Sequence, residues 1–311
     1  MGQKMVVGYV AGQLGNQLFQ RAAMEYANIV HFNSQASLHA VLGKGFRESP
    51  ALRDVSMYRA SWLETKMCSL LIRPLRVQTT REVILRQCAE RVLQILLAIR
   101  FRHRFAVIAS SSISEPPKLE NATTSIFLIG YFQDNFWSDY EEEIIATLRQ
   151  SLSLSECEPL YDRIAIHVRL TDYLDSSDFG SLSPYYYERI VAEILRNEKR
   201  ELDIEIFTDD TRLAKDLFLN WPFQVRYLGP DDLSSLETLS QIGSAKYRII
   251  ANSSFSWWAA RLSQRASSTT YYPTPWFMNI EGIHRFPPRW IPRNSYWLEG
   301  KNLSNVARSK H

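Results

Sequence analysis

Short apolar runs alternate with helical periodicities along most of the chain. Residues 5–10, Met-Val-Val-Gly-Tyr-Val, make the uninterrupted apolar run of a strand buried on both faces. A loop over 11–17 follows. Leu18, Phe19, Ala22, Ala23, Tyr26, Ala27 and Val30 then recur three and four apart, which predicts a helix. Residues 125–129 read as a second strand, 141–152 as a helix, and 153–159 as an interdomain linker. In the second half, strands are predicted from Ile164 and over 202–208, 223–228 and 246–251. They alternate with helices over 184–196, from about 211, over 235–244 and over 256–264. Ser183 stands as cap and Pro184 in the first turn of the first of these. Such alternation predicts doubly wound parallel sheets. Because 311 residues exceed what one core usually serves, two domains are expected, over 1–155 and 156–311.

The stretch between is less regular. Leu85, Cys88, Val92, Ile95 or Leu96, and Ile99 fall on one helix face, and Arg81, Arg86, Arg91, Arg100, Arg102 and Arg104 make the same region basic. A helix of this kind ordinarily packs its apolar face on its own domain. The alternative is peripheral contact with an anionic membrane.

Composition narrows the class. With 45% hydrophobic and 22% charged residues the chain is an ordinary globular protein, and a net charge of +3 is too small to argue for nucleic acid. Cys68, Cys88 and Cys157 are odd in number and widely spaced, which leaves neither a disulfide framework nor a paired-cysteine metal site. With no signal-peptide pattern and no run of about 20 apolar residues, a cytoplasmic protein is expected.

Candidate chemistry gathers where strands end. His167 and Arg169 lie two apart, so an extended backbone projects both from one face at the carboxyl end of a strand, where open α/β sheets place ligands. A planar, permanently charged Arg169 suits a diphosphate. The same residues, with Asp172, equally describe a structural ion pair. Gly12, Gln13, Gly15, Asn16 and Gln17 form a glycine loop before a helix, with three amides able to donate to and accept from sugar hydroxyls. Gly130, Tyr131, Phe132, Gln133 and Asp134 bring aromatics and amides past another strand. Asp209 and Asp210 end a strand, as a helix cap or as partners for a guanine or ribose. Asn252, Ser253, Ser254 and Phe255 precede a helix, a ready anion site, and the Trp257-Trp258 pair after them reads as core.

In this order, the stretches 12–20, 130–133, 167–172, 207–210 and 249–258 resemble the α-1,2-fucosyltransferases of glycosyltransferase family 11. The resemblance implies an inverting, metal-independent enzyme of GT-B architecture, α/β with two Rossmann-like domains whose parallel sheets face across a cleft. It implies GDP-fucose as donor, held mainly by the C-terminal domain, and a terminal β-galactoside as acceptor, on an oligosaccharide that could be lipid-linked. No metal or other cofactor is expected, and no nucleic acid. The family's His-x-Arg-Arg-x-Asp stretch falls on His167, Arg169 and Asp172, with Leu170 in place of the second Arg and Thr171 in place of the usual Gly. Arg169 and the N–H groups near Ser253 to Phe255 would stabilise charge on the departing phosphate. Gly12, Gln13, Gly15, Asn16, Asp209, Asp210 and 252–255 are the expected donor contacts. Gln17, Tyr131, Gln133 and Asp134 are acceptor-side candidates. Asp172, His167 and Asp134 remain open as the base. A fucosyltransferase of other linkage, a GT-B enzyme using another nucleotide sugar, and a catalytically silent binding module are the competing readings.

Overall fold

A computed structural model of the protein describes residues 3–43, 49–72, 80–110, 124–133, 138–154, 161–174, 176–263, 265, 267–280 and 286–298. The chain divides into two units, one reaching Ser153 and the other starting at Leu154 and holding most of the remainder.

The first unit is built on a parallel sheet of β1 (Met5–Val10), β2 (Ser37–Leu42), β3 (Ser56–Arg59), β4 (Phe105–Ala109) and β5 (Ser125–Ile129), in the order β3-β2-β1-β5-β4. Helices α1 (Leu14–Phe32), α2 (Trp62–Ile72), α3 (Thr80–Phe101) and α4 (Glu141–Ser151) accompany it. Met5, Val7 and Tyr9 share a core cluster with Phe127, Ile129, Leu93 and Leu97, while Val6 and Val10 are buried on the opposite face. The sheet changes winding direction between β1 and β5, so the carboxyl ends of these strands flank its switch point. The first helix begins at Leu14, four residues before the expected Leu18. Gly12, at φ +83°, reverses the chain at once, and a Cβ there would meet the Asn16 amide nitrogen at 2.6 Å. Gly15, Asn16 and Gln17 therefore sit in the first helical turn, where N–H groups need no helical acceptor.

The second unit carries a parallel sheet of β6 (Tyr161–Val168), β7 (Asp203–Thr208), β8 (Arg226–Leu228), β9 (Ala245–Ile249), β10 (Thr269–Thr274) and β11 (Ile291–Asn294), ordered β11-β10-β9-β6-β7-β8. Its helices are α5 (Thr171–Leu174), α6 (Pro184–Glu198), α7 (Thr211–Leu217), α8 (Ser235–Gly243) and α9 (Ser254–Leu262). Ile164, Ile166, Val168 and Leu170 face a core that includes Tyr186, Tyr187, Ile190 and Ile194 of α6. Winding reverses between β6 and β9. Three local expectations are corrected. Strand β8 keeps only the last three of six expected residues. Helix α9 starts at Ser254 rather than Ser256. Ser183 occupies the N-cap position of α6 in extended conformation, but its side chain makes no capping bond. Trp257 and Trp258 are buried, edge to face. No described helix is long and apolar enough to cross a membrane.

Arg248, on β9, is fully buried and ties two helix ends together. It donates to the carbonyls of Gly243 (3.3 Å), Ala260 (3.1 Å) and Ser263 (3.2 Å), at the C-termini of α8 and α9, and to the Ser268 hydroxyl. Burial lowers its pKa to about 9, which still leaves it charged at neutral pH, where it opposes the negative ends of both helix dipoles. An unpartnered buried polar group costs about 1–3 kcal/mol, so Arg248→Met, which keeps the aliphatic stem, should destabilise the fold by about 3 kcal/mol or more. Urea denaturation of the full chain measures this; a loss well under 1 kcal/mol would mean the carbonyls find other partners.

Candidate functional site

In the second unit the residues singled out on β6 and β9 converge at the switch point. Arg169 follows directly on β6. One guanidinium nitrogen, Nη2, lies 2.7 Å from Asp172 Oδ1 and the other, Nη1, 3.2 Å from Asp209 Oδ2. The same group sits 5.6 Å from the centre of the Tyr173 ring. Asp209, just past β7, also accepts the Leu170 N–H (2.9 Å) and the Thr171 hydroxyl (2.5 Å), so it fastens the turn that carries Arg169. Asp210 has the cap role: its Oδ1 accepts the Leu213 N–H at 2.9 Å. One cation is thus shared by two carboxylates, the ion-pair arrangement weighed from the sequence. The Arg169 side chain is 11% exposed and that of Asp172 59%, so Asp172 is the partner an incoming anion can replace.

His167 differs from its neighbour Arg169 in carrying no charge. It is buried, its ring centre lies 5.5 Å from that of Phe255, and its Nδ1 has no hydrogen-bond partner within the protein. Burial, helped by the neighbouring Arg169 charge, lowers its pKa to about 3, so the imidazole is neutral. So weakly basic a ring is a poor acceptor for a hydroxyl proton.

Asn252 serves as a fastener. Its side-chain amide donates to the carbonyls of Phe179 (2.9 Å) and Gly180 (3.0 Å), and its backbone carbonyl accepts the Tyr173 hydroxyl at 3.1 Å. Tyr173 stacks on Phe179, 5.2 Å between centres, and was not anticipated; Leu-Thr-Asp-Tyr carries no motif that marks it. Ser253 is the N-cap residue of α9 without a side-chain capping bond, and Ser254 and Phe255 open the helix. The Ser256 hydroxyl, also unanticipated, donates to the carbonyls of Ala251 and Ser253, both at 3.1 Å, and locks the strand-to-helix turn. The nine-residue α9 therefore brings its first N–H groups to the same end of the sheet as Arg169.

The first unit assembles amides at its own switch point. Gly12 and Gln13 are exposed. Gln17 is buried: its amide donates to the Gly12 carbonyl at 2.7 Å and accepts from the Ser49 hydroxyl, so this acceptor-side candidate is a staple. Gln20, which sequence reasoning passed over, donates to the Gly130 carbonyl (3.0 Å) and accepts the Ala11 N–H (3.1 Å), joining the ends of β1 and β5. Gln133 donates to the Asn16 side-chain oxygen at 2.8 Å, a partly buried pair beside half-buried Tyr131. Gly15 is buried in the helix turn. Asp134 lies outside the described residues. Among the described residues no group of three or more His, Cys, Asp or Glu is placed to hold a metal ion.

Residues 112–291, more than half of the chain, match the family described as Glycosyl transferase family 11. The chain belongs to this family. A relative from Escherichia coli, an alpha-1,2-colitosyltransferase, is 26% identical over 316 residues, 92% of this chain and 98% of that one. A second, the O-antigen biosynthesis glycosyltransferase WbnK of Escherichia coli, is 29% identical over 167 residues, 48% of this chain and 55% of that one. The solved structure of the Escherichia coli ADP-heptose lps heptosyltransferase II superposes with a TM-score of 0.50 at 11% identity, covering 99% of this chain and 100% of that one. That likeness concerns the fold alone, which is GT-B. The protein is a glycosyltransferase of the fucosyltransferase type.

The buried His167 gives the family member a pH signature. Its unfolded-state pKa is near 6.5 and its native one about 3, so below pH 6.5 the unfolded chain takes up a proton that the native site refuses. Stability should therefore fall by about 2 kcal/mol from this residue between pH 7 and pH 5. Urea unfolding at both pH values should show that increment in the native sequence and lose it in His167→Gln.

Proposed function

We propose that the protein transfers L-fucose from GDP-β-L-fucose, with inversion, to the 2-hydroxyl of a terminal β-galactosyl residue of a bacterial surface glycan. The observation that carries this reading is the convergence of Arg169 and the N-terminus of α9 on one switch point, in a chain of glycosyl transferase family 11. In this reading the diphosphate displaces Asp172 from Arg169 and receives its guanidinium, while Asp209 keeps the loop in place. The acceptor O2–C1 bond forms as the bond from C1 to the β-phosphate oxygen breaks. The bonding pair leaves with GDP, where Arg169 and the α9 N–H groups hold the growing charge. The hydroxyl proton passes to a base, for which Asp172 and Asp134 remain after His167 is set aside. Tyr131 and Gln133 serve the acceptor side, and Asn16, hydrogen-bonded to Gln133, serves the donor. The reaction uses no metal, and the enzyme works in the cytoplasm.

A second reading replaces fucose by colitose, its 3-deoxy counterpart. The relative that aligns over nearly the whole of both chains favours it. Both readings use the same diphosphate site and differ only in whether a 3-hydroxyl must be matched.

Incubation with each GDP-sugar and a set of galactosides, with linkage read by NMR, separates the readings. The expected product is α-1,2-linked fucosyl galactoside; attachment at another hydroxyl, or GDP binding without transfer, would overturn the proposal. A charge-assisted hydrogen bond is worth about 1.5–3 kcal/mol, so Arg169→Ala should lower kcat/KM roughly ten- to hundredfold. Steady-state kinetics with the preferred donor gives the number.

A further inference from the structure

Helix α3 is apolar on two faces, and only one is buried. Ala89, Leu93 and Leu97 point into the core of the first unit. On the other side Leu85, Cys88, Val92, Ile95 and Ile99, spaced three and four apart, form a continuous exposed stripe, with Ile95 60% and Ile99 73% accessible. The stripe spans residues 85–99 of the 22-residue helix, about 21 Å. A stripe of this length is seldom left to water without purpose. This reverses the ordinary expectation that such a face packs on its own domain.

The charges around the stripe decide what covers it. Arg81 stands one turn before Leu85, Arg91 one turn before Ile95, and Arg102 just past the end of the helix, all three exposed. Glu90 lies opposite this face by its helical position and accepts a hydrogen bond from Gln94, while Glu82, three residues before Leu85, flanks the start of the stripe. From residue 59 to residue 104 the sequence has ten Lys or Arg against three Asp or Glu, although the whole chain is only +3. A second copy of the helix is a poor partner. Antiparallel pairing centred between Arg91 and Val92 would set Arg81 against Arg102, and parallel pairing would set each arginine against itself. An anionic surface with an apolar interior satisfies the stripe and all three arginines at once. On α2, which packs against α3, Trp62 is exposed with the Lys66 ammonium 5.8 Å from its ring centre, a pair suited to a lipid headgroup zone.

We propose that the outward face of α3 docks the enzyme on an anionic lipid bilayer, the apolar stripe entering the headgroup boundary and Arg81, Arg91 and Arg102 pairing with lipid phosphates. The inference does not depend on the donor or acceptor. Its test is flotation of the full chain with phosphatidylcholine vesicles, with and without phosphatidylglycerol, at low and high salt. Binding should require the anionic lipid and weaken with salt. Ile95→Glu with Ile99→Glu should abolish it, and each of Arg81→Gln, Arg91→Gln and Arg102→Gln should weaken it roughly fivefold, at about 1 kcal/mol per basic residue. Leu219→Glu, at an apolar position of the second unit that is 78% exposed, should leave it unchanged. These are surface positions, and an unaltered urea midpoint shows that each variant folds. Absence of salt-sensitive binding, equal loss in Leu219→Glu, or a dimer in sedimentation velocity that the Ile95→Glu, Ile99→Glu change dissolves would each overturn the proposal.

Discussion

Strand β6 lies in the middle of a parallel sheet, covered on both faces, and this burial sets the terms for the candidate site. Its central residues, 164–166, are hydrogen-bonded into both neighbours, β7 and β9. Its side chains at 164, 166 and 168, continued by 170, go to the core packed against α6. Polar function can emerge only on the alternate positions and only where the sheet stops. His167 and Arg169 occupy those positions. The first is still inside the low-dielectric region and stays neutral; the second has just left it and keeps its charge with two carboxylate partners.

The two carboxylates play unequal parts. Asp209 bonds to the Leu170 N–H and the Thr171 hydroxyl as well as to Arg169, so it is built into the turn. Asp172 holds the guanidinium from a largely exposed position. The guanidinium is thus held in a fixed orientation by one built-in and one solvent-exposed carboxylate. Tyr173, Asn252 and Phe179 brace the same corner through a hydroxyl-to-carbonyl bond, two amide-to-carbonyl bonds and a ring stack.

The first unit solves the equivalent problem with neutral groups. Gln17 and Gln20 use both ends of their amides to join the chain leaving β1 to Ser49 and to the chain leaving β5. What is left toward solvent is the Gly12-Gln13 turn and the Asn16–Gln133 pair. The same unit carries α3, whose two apolar sides are both legible as periodicity, although only one meets a core.

Much of this was written in the one-dimensional pattern. Apolar runs and three-and-four spacings located β6, β7, β9 and helices α6 to α9, because a strand buried on both faces and a helix with one buried face impose those periods on any sequence; β10, β11 and the short α5 were not read from the pattern. The order of motifs placed the chain among the fucosyltransferase-type enzymes. Periodicity alone also established that His167 and Arg169 share a face and that Leu170 does not. Local spacing could not show what each polar atom touches, since a partner such as Asp209 for Arg169, Gly130 for Gln20 or Phe179 for Asn252 lies far along the chain and is brought near only by the sheet order. Nor could it separate a buried stripe from an exposed one on α3, because both have the same period. Tertiary packing alone decided which amides are staples, which imidazole is neutral and which apolar face remains open, for in each case the answer depends on burial, a property of the folded neighbourhood rather than of the residue.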